Sequence, residues 1–245
     1  MATELPTSDM PLRIGFDVDG VLADFAAAFH EVEARLFGPD VSLSEGQPEE
    51  EEEQREGATD AESGANRNNA ADLGEARRRR DAIWDAIQST PDFWYGLEPL
   101  DADAVLRIHE LMLRHKWEVF FLTQRPATEG DTVQRQTQKW LVAQGFDLPS
   151  VLVLGGSRGA AARALRLDYH VDDSPRNCLD VIADSRARPI LIVPGMDEKM
   201  ISSARKLGVA TARSIRESLD ILEQATTARL QPGLFARIAA MVGWK

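Results

Sequence analysis

Short apolar runs alternate with amphipathic helical segments along this chain, and this alternation limits its fold more than any other feature. Strands are predicted at 11–16, 117–122, 151–154, 169–171 and 189–193, with a further short strand at 209–210. Helices are predicted at 24–37, 77–88, 101–115, 131–144, 159–167, 175–183, 197–207 and 214–226. Repeated strand–helix units favour a parallel sheet with right-handed crossovers and helices on its faces. The expected fold class is therefore α/β.

Two aspartates follow the first predicted strand directly. Asp17 and Asp19 come after the run Leu12–Phe16, and Gly20 then allows the chain to turn into a helix. A buried parallel strand delivers such carboxylates to its carboxyl end, where open α/β sheets place their ligand crevices. Two crowded carboxylates need a divalent cation, or a proton held by one of them. The pattern therefore predicts a site for chemistry rather than for packing.

Polar side chains also follow two later strands. A hydroxyl at a strand end, together with free backbone N–H groups, suits phosphate oxygens. The stretch Gly155–Leu165 adds an arginine at a helix start, which brings a permanent positive charge. The residues predicted to bind substrate on these grounds are Thr123, Gln124, Arg125 and Arg158, with Arg163 as a second candidate cation, and the paired acids are Asp172 and Asp173.

Most of the net charge of −12 comes from one segment. Residues 39–75 contain twelve acidic residues and two arginines, no aromatic residue and almost no large aliphatic one. Such a segment buries too little apolar area to offset its ordering entropy, so it is predicted to be a disordered acidic insertion. The acidity of the chain therefore says little about the folded core or its ligand.

The 245 residues suit one large domain with a small insert. The expected domains are a core at 11–23 and 101–226 and a helical cap at 24–100, with a tail at 1–10 and an amphipathic tail at 227–245. No apolar run reaches transmembrane length, and the polar N-terminus does not resemble a secretory signal. A single cysteine, Cys178, fits a reducing compartment and is expected to be a small buried residue. We therefore expect a cytoplasmic protein.

Nucleic-acid binding and histidine-based metal binding have little support. The run Arg77–Arg80 is the strongest basic cluster, but it lies beside the polyacidic segment, which competes for it. The four histidines show no metal-ligand spacing, and His170 is expected to point to the opposite face of its strand from Asp172. The predicted partner is a small-molecule phosphate ester, with no nucleic acid and no membrane. The oligomeric state is left open, with a homodimer as one option.

The stretches FDVDGVLADF, VFFLTQRP, GGSRGAAARAL and YHVDDSP, in this order, resemble the four motifs of the haloacid dehalogenase-like superfamily. The resemblance implies a Rossmann-like sheet with strand order 5-4-1-2-3 and an aspartyl-phosphate mechanism with Mg²⁺. It makes Asp17 the nucleophile and Asp19 the general acid/base, and Thr123 would hold the phosphoryl group. The implied metal ligands are Asp17, Asp19 through its main-chain carbonyl, Asp172 and Asp173. The third motif normally carries lysine, and Arg158 stands in its place.

A finer resemblance is to the 5′(3′)-deoxyribonucleotidase group of that superfamily. It is carried by DVDGVLADF, FWYGLEPL and the helical segment between them. It implies a cap that closes over the phosphate and contributes aromatic residues around a base, so Phe93 and Trp94 are candidate stacking residues. The alternative is that these aromatics close the core. LTQRP also departs from the Thr-Ser-Pro pattern expected after the second strand.

The function expected from these features is a Mg²⁺-dependent phosphatase, a 5′-nucleotidase-like hydrolase of a small phosphate monoester. The expected substrate is a nucleoside 5′-monophosphate. Two alternatives are kept. One is a phosphatase for another small metabolite, such as a sugar phosphate, and the other is a non-catalytic phosphate-binding regulator with the same fold.

Overall fold

The structure, a computed structural model, describes residues 11–39 and 67–229, and within them the side chains of 67–73 and 196 are left undescribed. The predicted tail at 1–10, most of the acidic insertion and the predicted helix in the C-terminal tail lie outside the described residues. The part of that insertion that is described, from residue 67 onward, is helical. The prediction of disorder at 67–75 is therefore wrong. These residues include few large apolar side chains, so the sequence shows no clear helical period there.

Six parallel strands form one sheet in the order β3-β2-β1-β4-β5-β6. The predicted order, 5-4-1-2-3, differs from it because a sixth strand adds to the edge beside β5. The sequence predicts this short strand at 209–210, but the order implied by the resemblance counts five strands only. The strands are β1 (Arg13–Asp17), β2 (Glu118–Thr123), β3 (Val151–Val153), β4 (Tyr169–Asp172), β5 (Arg188–Ile192) and β6 (Ala210–Ala212).

Helices connect the strands and cover the sheet. Within the described residues they are α1 (Phe25–Phe37), α2 (Arg67–Gln88), α3 (Ala104–His115), α4 (Val133–Ala143), α5 (Arg158–Leu165), α6 (Pro175–Asp184), α7 (Glu198–Lys206) and α8 (Ile215–Arg229). Short 3-10 helices lie at Phe93–Tyr95 and Pro194–Met196. The start of α3 lies three residues later than predicted. Asp101 lies in the preceding turn, where its carboxylate accepts from Arg216 on α8 and from the backbone N–H of Asp103.

The cap helices and the sheet share one buried apolar cluster. Phe25 of α1 stacks on Trp84 of α2, with ring centroids 5.7 Å apart, and packs against Trp94 at 5.5 Å. Such aromatic contacts add stabilisation beyond area burial. The two cap helices are thereby held over the side of the sheet where the first strand ends.

Two further expectations from the sequence concern Cys178 and membrane-spanning helices. Cys178 is buried, and burial raises the pKa of its thiol well above the usual range, which confirms the expectation of a small buried residue. Among residues 11–39 and 67–229, no helix is both long enough and apolar enough to span a bilayer. The cytoplasmic location and the oligomeric state stay predictions.

Candidate active site

The parallel pairing of β1 with β4 brings two predicted carboxylates together. Phe16 pairs with Val171, so the next residues, Asp17 and Asp172, end neighbouring strands at the same level. Both are buried, at 1% and 0% exposure. Burying two carboxylates is costly unless they are paired and hydrogen-bonded. The residues around them therefore decide whether the site is stable.

Arg158 supplies the positive charge at this point. Ser157 caps α5 and so fixes where the helix begins, and Arg158 is its first residue. Arg158 is 2% exposed, its Nη2 donates to Asp17 Oδ1, and its Nε lies 3.7 Å from Asp172 Oδ2. One guanidinium therefore faces both buried carboxylates. Arg163 lies exposed further along α5, so the geometry favours Arg158 of the two predicted cations.

His170 is a site residue that the sequence prediction missed. Its Nε2 donates to Asp172 Oδ2 over 2.7 Å, and the ring is fully buried. The expectation that it faces away from Asp172 is wrong, because residues two apart on a strand share a face. Gly15 pairs with His170 across the strands and makes room for the ring, since a Cβ there would lie 2.9 Å from His170 Nδ1. The two-residue spacing was the signal available in the sequence.

Several donors hold Asp172 in its ionised form. Burial by itself raises the pKa of this carboxyl, but the His170 hydrogen bond and the charges of His170 and Arg158 outweigh it and lower the pKa. The backbone N–H of Ser174 donates at 2.9 Å and Asn177 Nδ2 at 3.1 Å. Asn177 was also missed by the sequence prediction. Asp172 is therefore a carboxylate of fixed orientation.

Asp19 is held from the other side of the site by Arg125. The guanidinium donates from Nε to Oδ2 at 2.7 Å and from Nη2 to Oδ1 at 2.6 Å. Thr123, at the end of β2, is fully buried, and its Oγ1 lies 3.4 Å from Asp19 Oδ2. Gln124 is exposed. The structure thus joins Thr123 and Arg125 to Asp19 and leaves Gln124 on the surface.

Asp173 lies against the turn that follows Asp19. A Cβ at Gly20 would lie 1.9 Å from Asp173 Oδ2, and the backbone of Gly20 has a φ of +72°. A side chain at this position would therefore be strained and would also clash. Gly20 allows the two acidic loops to approach each other at the carboxyl edge of the sheet.

The aromatic loop contradicts one predicted role. Trp94 is 1% exposed, its Nε1 donates to Pro126 O at 3.0 Å, and the Arg125 guanidinium lies 4.7 Å from its ring centroid. Its prediction as an open platform for a base is therefore wrong, because protein groups already cover the ring. Phe93 is partly buried, with its edge against Trp94. A substrate role for Phe93 stays a prediction.

The carboxylates at this edge of the sheet are the kind of ligand that magnesium prefers. Within the described residues, no three acidic, histidine or cysteine side chains converge on one point that could hold a metal ion. The Asp19 carboxylate is bound by Arg125, whereas the predicted contact of Asp19 with the metal is through its main-chain carbonyl. Magnesium is usually bound by one or two carboxylates together with water and substrate phosphate. Asp17 and Asp172, which face one guanidinium, satisfy that smaller requirement.

The fold has clear structural neighbours. No family model and no curated relative matches the sequence. A phosphonoacetaldehyde hydrolase-like protein from Oleispira antarctica is 12% identical with a TM-score of 0.53, covering 98% of each chain. A haloacid dehalogenase-like hydrolase from Streptococcus pneumoniae is 13% identical with a TM-score of 0.52, covering 89% of this chain and 100% of that one.

A further neighbour is a protein assigned as a β-phosphoglucomutase from Thermotoga maritima. It is 15% identical with a TM-score of 0.50, and the match covers 86% of this chain and 98% of that one. Each of the three structures therefore matches over nearly its whole length. Together they establish that this chain has the fold of the haloacid dehalogenase-like hydrolases.

Proposed function

We propose that this protein is a Mg²⁺-dependent phosphatase that hydrolyses a small phosphate monoester through an aspartyl-phosphate on Asp17. The observation that carries the proposal is the buried Asp17–Arg158 pair at the carboxyl edge of the sheet, beside Asp172. A second carboxylate, Asp19, lies two residues further along the chain. A nucleophile, a cation and an acid/base group are therefore available at one edge of the sheet.

The first chemical step needs an attacking carboxylate that tolerates an approaching anion. An Asp17 oxygen forms a bond to phosphorus while the bond from phosphorus to the leaving oxygen breaks. Asp19 gives a proton to that leaving oxygen. Arg158 offsets the negative charge that Asp17 and the phosphoryl group bring together, and electrostatic stabilisation of this kind dominates phosphoryl transfer.

The second step releases phosphate. Asp19 takes a proton from water, the water oxygen bonds to phosphorus, and the bond from phosphorus to Asp17 breaks. Splitting one difficult transfer into two easier ones is the advantage of a covalent intermediate. Magnesium, held by Asp17 and Asp172, would supply further charge neutralisation.

For the substrate we propose a nucleoside 5′-monophosphate. Support comes from the helical cap between β1 and β2 and from Phe93 and Tyr95, which flank buried Trp94, Tyr95 being 47% exposed. The burial of Trp94 removes one stacking surface and favours a second candidate, a sugar phosphate or similar metabolite. The match to the protein assigned as a β-phosphoglucomutase points to the same alternative.

The test is a panel of phosphate monoesters assayed with Mg²⁺ and with EDTA. We expect hydrolysis that requires Mg²⁺ and that Asp17→Asn abolishes while the protein stays folded by circular dichroism. Asp147→Asn, the same change at an exposed position, is the matched control. Near-normal hydrolysis by Asp17→Asn would refute the covalent mechanism, and a preference for sugar phosphates would refute the nucleotide assignment.

Arg158 is tested in a second series. Removal of the cation by Arg158→Ala is expected to lower turnover by about 10²-fold or more, the size of effect seen when one charge-stabilising group is lost. Arg158→Lys keeps a charge and should retain activity. Arg163→Ala, on the exposed side of the same helix, should change nothing. Equal activity of Arg158→Ala and wild type would assign the cationic role to another residue.

A further inference from the structure

Arg125 is anchored by groups other than its carboxylate partner. Its Nη1 donates to Thr137 Oγ1 at 2.9 Å, and Thr137 in turn donates to the backbone carbonyl of Val133 on α4 at 2.8 Å. The guanidinium also lies over the Trp94 ring, 4.7 Å from its centroid, and the side chain is only 1% exposed. The position of Arg125 is therefore set by the protein core and by the loop leaving the cap.

Asp19 is the more accessible partner of the two. The Asp19 side chain is 11% exposed, whereas the Arg125 side chain that donates to it is buried. The two parallel contacts, at 2.7 and 2.6 Å, fix the plane of the carboxylate as well as its position. Arginine keeps its charge at all relevant pH values, so Arg125 does not lose this contact by deprotonation.

We infer that Arg125 is a positioning residue that orients the Asp19 carboxylate towards the reacting oxygen, and that it does not bind the phosphoryl group. The inference rests on the proposed function and replaces the predicted substrate-binding role of Arg125. It also accounts for the burial of Trp94, whose ring supports the guanidinium and whose Nε1 ties the loop to Pro126. The cap exit and the acid/base residue are thereby joined through one side chain.

The inference predicts a dependence on the leaving group. A misoriented Asp19 protonates the leaving oxygen poorly, which matters for an alkyl ester and little for p-nitrophenyl phosphate, whose leaving group departs without a proton. A phosphate-binding arginine would serve both esters equally. The ratio kcat/KM is the right measure, because it covers the steps up to the transfer to Asp17 and excludes later hydrolysis.

The variant of choice is Arg125→Met, which keeps the packing on Trp94 and removes the guanidinium that donates to Asp19. We expect kcat/KM for an alkyl phosphate ester to fall by about 10²-fold, the lower range for acid–base catalysis, and that for p-nitrophenyl phosphate by less than about threefold. Arg125→Lys keeps the charge but lacks the planar guanidinium that donates to both carboxylate oxygens, so its losses should lie between those of wild type and Arg125→Met. Arg135→Met, on the exposed side of α4, is the matched control. Equal losses on both esters would overturn the inference.

A measurement without activity separates this inference from the proposed function. Thermal unfolding of Asp19→Asn, Arg125→Met and the double variant forms a cycle that isolates the interaction of the pair. We expect the double variant to lose clearly less Tm than the sum of the two single losses. Additive losses would show that the pair is not formed and would overturn the inference. Absence of wild-type hydrolysis with intact coupling would instead refute the proposed function.

Discussion

Gly159 stands next to Arg158 at a point where α5 and α6 approach too closely for a side chain. A Cβ added at Gly159 would lie 2.1 Å from the backbone oxygen of Asp180 and 2.7 Å from Asp184 Cβ. Both atoms belong to α6, and a backbone oxygen cannot turn aside as the end of a flexible side chain can. Gly159→Ala must therefore push the two helices apart by about 1 Å, since contacts of this kind are close to 3 Å at their shortest.

Two opposing effects set how much Gly159→Ala lowers the free energy of unfolding. Overpacking a tight interface costs about 1–3 kcal/mol. Alanine is favoured over glycine inside a helix by about 1 kcal/mol, which offsets part of this cost. Because the added Cβ meets a backbone oxygen at 2.1 Å, the cost lies in the upper half of that range, about 2–3 kcal/mol. The net loss is then about 1–2 kcal/mol, or a Tm lowered by about 2–8 °C for a domain of this size. Under the proposed function turnover falls as well, because α5 carries Arg158.

Thermal unfolding followed by circular dichroism measures this prediction. Gly155→Ala is the matched control, because a Cβ there has no atom within 4 Å and the loop can accept it. We expect Gly155→Ala to keep or slightly raise the Tm. A Tm for Gly159→Ala at or above that of wild type would refute the reasoning, since the propensity gain would then exceed the clash.

Three further predictions follow from other parts of the structure. Trp94→Ala should destabilise the fold by about 3–5 kcal/mol in denaturant unfolding; an unfolding free energy close to that of wild type would contradict its buried role. The hydrogen bond from Arg216 lowers the pKa of Asp101 below its ordinary 3.8, so the stabilisation is complete above that pH and fades as pH falls below it. Asp101→Asn should therefore lower the Tm at pH 7 more than at pH 3, with Asp147→Asn as control, and equal losses would count against it. Deleting residues 46–66 should leave the Tm unchanged, because their composition cannot support a core, and a large Tm loss would show that they contribute to folding.

Much of the site could be placed from the sequence, because it depends on strand ends and short spacings. The aspartates after the first strand and the acid pair after the fourth reach the same edge, since parallel strands all end there. Arg158 follows a serine that caps its helix, which is a local signal as well. The contact of His170 with Asp172 was also local, and the two-residue spacing on one strand was sufficient to predict it.

The partners of Asp19 and Trp94 were decided by the tertiary structure alone. Arg125 and Asp19 are 106 residues apart, and Trp94 is 32 residues from the carbonyl of Pro126 that it donates to. Hydrophobic period and motif spacing depend on near neighbours along the chain, so they predict helices, strands and strand ends. The packing of these helices and strands decides which side chain covers an aromatic ring and which one binds a carboxylate. That is why the sequence predicts Arg125 and Trp94 as substrate-binding residues, whereas in the folded chain the Arg125 guanidinium contacts both the Trp94 ring and the Asp19 carboxylate.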